Sequence, residues 1–227
     1  MKLIIFDLDQ TLVNSISFHD EAFRYIFRRY FDVEAHLTEV DFAGKSLQQN
    51  FADLARLKGI AEALIKEKIR AFLPGYDLVF SSCIPPDARQ YVNPGVIPLL
   101  ETLAKTDNLI MLYTGDSPAV VESTFAATGL GKYFKYAFYG TETASRAEMV
   151  SRAVRKAEEL AGEKFTGNNV VIIGDSTRDI ESGKVFGART IAVATGFHSA
   201  SQLQVLKPDY LFNNLADSNS VIKAIMD

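Results

Sequence analysis

Lys2-Leu3-Ile4-Ile5-Phe6-Asp7-Leu8-Asp9-Gln10-Thr11-Leu12 is the stretch whose reading decides the fold. Its first half is a short apolar run of branched and aromatic residues, the pattern of a strand buried on both faces. Asp7 ends that run, and in open α/β sheets ligands bind at the carboxyl ends of the strands. A second acid, Asp9, and a hydroxyl, Thr11, follow at two-residue steps. A lone Asp after a strand is ordinarily a turn residue or a helix cap. Acids crowded against an apolar sheet repel each other and lose hydration, so something must compensate. A hard divalent cation is the simplest candidate.

The arrangement recurs. Val170-Val171-Ile172-Ile173-Gly174 is a second buried-strand pattern, followed by Asp175-Ser176-Thr177-Arg178-Asp179. Leu109-Ile110-Met111-Leu112-Tyr113 is a third, ending in Thr114-Gly115. Parallel strands gather such ends along one edge. Weaker strand patterns lie at 136–139, Arg189 to Val193 and Tyr210 to Phe212.

Between the first strand and the next, the chain reads as helix. Phe18 to Tyr30 carries apolar residues close to helical spacing. Ser46-Leu47-Gln48-Gln49 has the capping-box pattern and opens a helix to Gly59. Ala61 to Leu73 reads as another, stopped by Pro74-Gly75, with Tyr76 to Cys83 a further short helix or irregular. Asn93-Pro94 reads as the start of a helix to about Lys105. From there strand and helix alternate. Ser117-Pro118 caps one helix, and Ser145-Arg146-Ala147-Glu148 is a second capping box opening a helix to about Ala161. Alternation of this kind predicts an α/β fold, a doubly wound parallel sheet with helices on both faces. The expected domains are a core of residues 1–14 and 90–227 and a helical insertion of residues 15–89.

The gross features bound the function. With 227 residues the chain suits one sizeable domain, or a core with a smaller insertion. A net charge of −4 without a basic stripe gives no reason to expect nucleic-acid binding. No apolar run is long enough for a membrane span. The single cysteine, Cys83, together with the early stop of the N-terminal apolar run at Asp7, favours a reducing, cytoplasmic setting. Its flanks hold no histidine or basic partner, so Cys83 reads as a small packed residue.

Asp7-Leu8-Asp9-Gln10-Thr11, Thr114, and Gly174-Asp175 with Asp179 resemble the first, second and fourth motifs of the haloacid dehalogenase-like (HAD) hydrolase superfamily. The insertion resembles that family's type-one helical cap. The resemblance covers nearly the whole chain, with the motifs in the family's order. It implies a Rossmann-like core and a Mg²⁺-dependent phosphatase of the phosphoglycolate phosphatase-like type, acting on a small phosphorylated metabolite. Asp7 would be the nucleophile, forming an aspartyl-phosphate. Asp9 would be the general acid and base, with a raised pKa or a well-placed hydrogen bond. Thr114 and the Gly115 amide would bind phosphoryl oxygens. Asp7, Asp9 and Asp175 would hold Mg²⁺, Asp9 through its backbone carbonyl, with Asp179 behind them.

This chain departs from the family at the third motif, usually Lys before Pro. Arg146 stands in the matching place, with Lys156 and Lys164 as weaker stand-ins. Gln10 stands where glycine is common. In the insertion, Phe42-Ala43-Gly44-Lys45-Ser46 reads as a loop facing the cleft, where Lys45 and Arg24 are candidates for a second anionic group. His19 resembles a β-phosphoglucomutase position that helps the cap open and close, although a hinge or solvent-facing histidine fits equally. A phosphomutase of the β-phosphoglucomutase type is the alternative activity. Asp9 argues against a dehalogenase, and the intact acids argue against a non-catalytic binding module. Monomer and homodimer both remain open.

Overall fold

The computed structural model describes all 227 residues, Met1–Asp227. Its centre is a six-stranded parallel sheet. The strands are β1 (Leu3–Phe6), β2 (Leu109–Thr114), β3 (Tyr136–Tyr139), β4 (Val170–Gly174), β5 (Arg189–Val193) and β6 (Tyr210–Phe212). Their order is β3-β2-β1-β4-β5-β6. Successive β1 side chains face opposite ways. Ile4 and Phe6 pack in a cluster with α4 (Val96–Leu103) and α9 (Ser218–Met226), while Leu3 and Ile5 pack with α6 (Arg146–Ala161). Both faces are therefore covered, and that is why β1 reads as an unbroken apolar run.

The register places the site. Phe6 pairs with Leu112 on one side and Ile173 on the other. Asp7, Thr114 and Asp175 accordingly leave the sheet at one edge. The chain goes to opposite sides of β1 for β2 and for β4, which makes this edge a topological switch point, where α/β folds bind ligands. Helices α5 (Pro118–Thr128) and α7 (Thr177–Phe186) start just beyond β2 and β4, capped by the Ser117 and Ser176 side chains. A short helix, α8 (Ala200–Val205), lies between β5 and β6.

Helices α1 (Ile16–Phe31), α2 (Leu47–Leu57) and α3 (Glu62–Cys83) lie in the insertion. They share an aromatic core of Phe23, Phe27, Phe51, Phe72, Tyr76 and Phe80, which continues onto Val120 and Ala127 of α5. Two backbone crossings join insertion and sheet. They are tied by Asn14 N–H to the Tyr91 carbonyl at 2.8 Å and Asn93 N–H to the Leu12 carbonyl at 2.9 Å. No helix is long and apolar enough to cross a membrane.

Two local expectations need correction. Pro74 does not stop a helix, because α3 runs through it to Cys83. An interior proline costs about 3 kcal/mol. Phe72, Tyr76 and Phe80, spaced four apart and fully buried, lie on one face across the proline. Burying each contributes about 1.5–3 kcal/mol, so packing outweighs the break. The second correction concerns α4, which begins at Val96 rather than at Pro94. Gly95 there has φ +86° and passes against the Leu215 carbonyl, where any Cβ would collide. The capping box at Ser46 forms reciprocally with Gln49. At Ser145 only half of it forms, since the Glu148 carboxylate accepts from Ala144 N–H instead.

Candidate active site

Three carboxylates meet beyond the sheet edge. One oxygen each of Asp7, Asp175 and Asp179 lies within 4.8 Å of the others, and all three residues are buried. Asp179 sits in the first turn of α7, where its carboxylate accepts from Ser176 N–H at 2.8 Å and Ser176 Oγ at 2.6 Å. This puts it back over β4, in space left free only because residue 174 is glycine. Thr11 Oγ1 donates to Asp175 at 2.8 Å, so the first-strand loop orients the acid that follows the fourth strand.

Arg146, in the first turn of α6, points inward and is buried. Its guanidinium contacts Asp7, lies 2.7 Å from Asp179 through Nε, and stacks over the Tyr113 ring at 4.4 Å. Lys156 and Lys164 instead pair with Glu159 and Glu158 on the outside of α6. They are not the cation of this cluster. Tyr113 Oη also donates to Asp179.

The electrostatics follow from this crowding. Burial, then the charges of Asp179, Asp175 and Asp9, push the Asp7 carboxyl well above the usual range in spite of Arg146. Burial and the charge of Asp179 push Asp175 up to about 7. Asp179 goes the other way. Burial works to raise it, but Arg146 and the hydrogen bonds from Ser176 and Tyr113 outweigh that and hold it low. Three buried carboxylates beside one guanidinium leave net negative charge to be compensated. The donor set is oxygen only, which suits Mg²⁺ better than a softer metal.

The Asp9 side chain turns away from this trio. It accepts from Ser15 Oγ and hydrogen-bonds His19 Nε2 at 3.0 Å, and His19 Nδ1 meets the Tyr76 hydroxyl at 2.6 Å. Only its backbone carbonyl is left as the expected metal donor, and Asp179 is the third carboxylate of the trio. Of the two alternatives expected for Asp9, a raised pKa or a well-placed hydrogen bond, the structure shows the second. Burial works upward, but the charge of His19 and hydrogen bonds involving His19, Asp116 and Ser15 bring it down to about 2. Arg24 is far from the cleft in function, pairing with Glu34 in the open. Lys45 does line the cleft, but its ammonium pairs at 2.8 Å with Asp53, which does not. The thiol of Cys83 is free and half-buried.

Four groups escaped the sequence reading: Asp116, Asn50, Tyr76 and Tyr113. Asp116 follows β2 by two residues, as Asp9 follows Asp7, so the strand-end argument contained the signal for it. Asp116 is 2% exposed and forms a second cluster with Asp9 and His19. The Thr114 hydroxyl accepts from Asp116 N–H at 3.2 Å and so shapes this loop. The φ of Gln10 is +60°, a left-handed backbone in which glycine is easier to place.

Asp7, Asp9, His19, Asn50, Asp116 and Arg146 line a cavity of about 50 Å³ bordered by residues of the insertion. Arg178 reaches across to Asp41 at 2.8 Å and to the Ala43 carbonyl at 2.6 Å, and Phe42 packs on Phe197 with centroids 5.1 Å apart. Leu47 N–H donates to the Gly115 carbonyl at 3.1 Å. A Cβ at residue 115 would overlap the Lys45 carbonyl oxygen. Gly115→Ala is therefore expected to hold the insertion off the sheet edge. KM should rise by about tenfold or more, as when a closing lid cannot seat. Small-angle scattering should show a larger radius of gyration than for the parent.

A sequence model of haloacid dehalogenase-like hydrolases matches residues 4–193. The chain is 26% identical to the phosphoglycolate phosphatase of Synechococcus elongatus, covering 100% of this chain and 99% of the relative. It is 24% identical to pyrophosphatase PpaX of Listeria monocytogenes, covering 97% and 95% of the two chains. The crystal structure of β-phosphoglucomutase from Clostridium difficile superposes with a TM-score of 0.81 at 12% identity, covering 100% and 97%. That last likeness shows a shared fold. With the sheet order, the covered length and the family match in agreement, this chain belongs to the haloacid dehalogenase-like hydrolases.

Proposed function

We propose that the protein is a Mg²⁺-dependent phosphatase that hydrolyses a small phosphomonoester through an aspartyl-phosphate on Asp7. The observation that carries this reading is the contact of Asp7 with both a buried cation, Arg146, and a carboxylate pair, Asp175 and Asp179, at one sheet edge. The relatives named for phosphatase activity support the same class. Asp7, Asp175 and the Asp9 carbonyl would hold Mg²⁺, with Asp179 alongside. When bound, the ion supplies positive charge that offsets repulsion between an anionic phosphoryl group and the carboxylates.

The chain's own residues account for the remaining steps. An Asp7 carboxylate oxygen attacks phosphorus as the bond to the leaving oxygen breaks. Arg146 and the amide of Gly115 hold phosphoryl oxygens, the start of α5 adding its helix-end field. Asp9 passes a proton to the departing alkoxide. It is ionised at rest, but an arriving phosphoryl anion favours its protonated form. His19 hydrogen-bonds the same carboxylate at 3.0 Å and holds it in place. Water then attacks phosphorus and gives a proton to Asp9, the Asp7–phosphorus bond breaks, and phosphate leaves. The Thr114 hydroxyl, which accepts from Asp116 N–H, would donate to a phosphoryl oxygen. Residues 15–89 form the cap and residues 1–14 with 90–227 the core. We read the chain as cytoplasmic, in keeping with its single free cysteine.

Withdrawal of metal tests the reading. Protein stripped with EDTA should release no phosphate from p-nitrophenyl phosphate, and added Mg²⁺ should restore it. Full activity in EDTA would fit a metal-free reaction instead. Stoichiometric free phosphate from a sugar phosphate separates hydrolysis from mutase transfer. Asp9→Asn should slow kcat by about two to four orders of magnitude, the usual scale of proton-transfer help. An unchanged kcat removes Asp9 from the mechanism.

A further inference from the structure

Two side chains in the wall of the cavity bear on the kind of leaving group it takes. Asp116 and Asn50 both line it and are 2% and 4% exposed; Asp116 Oδ2, 4.0 Å from His19 Nε2, and Asn50 Oδ1 accept no hydrogen bond. The Asn50 amide nitrogen is already committed to the Phe42 carbonyl at 3.3 Å, which leaves its oxygen as the free end. A buried acceptor without a donor costs about 1–3 kcal/mol, so two in one small cavity mark the place of donors from a ligand.

The charges in the wall say what else that ligand carries. Arg146 apart, which the transferring phosphoryl group takes, the cations there are engaged. Arg146 contacts Asp7 and Asp179, Lys45 pairs with Asp53, and His19 lies between Asp9 and Tyr76. Asp116 adds an acid beyond those of the reaction itself. A carboxylate or second phosphate on the leaving group would find no other cation and would add its charge to those of Asp9 and Asp7. Burial and those two charges already push the Asp116 carboxyl well above the usual range. A neutral group bearing hydroxyls meets neither penalty. The cavity, about 50 Å³, holds only a few water-sized groups, so the part recognised is short.

We propose that the substrate is the phosphate ester of a neutral polyol, with a hydroxyl close to the ester oxygen that donates to Asp116 and Asn50. This rests on the phosphatase reading and narrows its substrate class. It makes Asp116 and Asn50 specificity-determining residues, and it sets this chain apart from a hydrolase of carboxylated or pyrophosphate substrates.

The test compares esters that differ in one feature, using the intact protein with Mg²⁺. The probes are glycerol 1-phosphate, n-propyl phosphate, 2-phosphoglycolate, inorganic pyrophosphate and O-phosphoethanolamine. Glycerol 1-phosphate should exceed n-propyl phosphate in kcat/KM by roughly 10- to 100-fold, the value of pairing buried acceptors. It should also exceed the two anionic leaving groups and the cationic one by about tenfold or more. In Asp116→Ala the glycerol-over-propyl preference should fall below about threefold, while Asp116→Asn, which keeps an acceptor, should retain most of it. If Asp116→Ala does not fold, the parent's own ranking decides. A parent that favours phosphoglycolate, pyrophosphate or phosphoethanolamine overturns the proposal, as does a preference unmoved in Asp116→Ala. Hydrolysis of n-propyl phosphate without any hydroxyl preference overturns this inference alone. Release of phosphate from none of the esters overturns the phosphatase reading and this inference with it.

Discussion

Asp7→Asn protein should turn over p-nitrophenyl phosphate at least about 10⁴-fold more slowly than the parent, the scale on which enzymes lose rate when the nucleophile is removed. The amide oxygen of Asn is too weak a nucleophile to displace an alkoxide from phosphorus. The fold should survive the change. Asp7 is buried and repelled by Asp175 and Asp179, and burial is what pushes its carboxyl upward, so a neutral isostere removes a charge the interior opposes. Against that, Arg146 loses one of its two carboxylate partners. The two effects oppose each other, and a thermal melt should move by only a few degrees. Parent-like turnover in Asp7→Asn would exclude covalent chemistry at this residue.

Arg146→Ala should be costly twice over. The variant leaves Asp7, Asp175 and Asp179 buried together with no cation from the chain among them. Breaking a buried pair by removing one partner costs about 3–5 kcal/mol. For a chain of this length that lowers the melting temperature by roughly 10 °C. Activity should fall by about 10³- to 10⁵-fold, the range for losing an arginine that stabilises transferring phosphoryl groups. Arg146→Lys separates the two effects. Lysine keeps the charge but lacks the planar fork that reaches Asp7 and Asp179 together. That variant should fold near-normally and still lose about 100-fold or more in kcat. Parent-like kcat in Arg146→Lys with normal melting would assign Arg146 to structure alone.

The gathering of Asp7, Thr114 and Asp175 at one edge was legible because it needs only three buried parallel strands, and burial on both faces writes itself as an apolar run. Arg146 was legible by its position just after the Ser145 cap. The surroundings of Asp9 were not. They depend on His19 from α1 and Tyr76 from α3, brought together by the aromatic packing of the insertion. No local pattern carries that convergence, and so the sequence left open whether Asp9 has a raised pKa or a well-placed hydrogen bond. Pro74 was misread for the same reason. Its local rule is sound, but the cost is met by Phe72, Tyr76 and Phe80, whose burial is a tertiary fact. Asp116 differs from both. It stands two residues past β2, as Asp9 stands two past Asp7, so the strand-end argument extends to it.

The account stands on a phosphoryl group passing through the side chain of residue 7. The most direct test is to quench the protein in acid during steady turnover with Mg²⁺, reduce it with borohydride, and sequence its peptides by mass spectrometry. An acyl-phosphate is reduced to an alcohol, so the account predicts homoserine at position 7 and nowhere else. The signal should be absent when substrate is omitted. Homoserine at another acid, or at none while phosphate is being released, would contradict it.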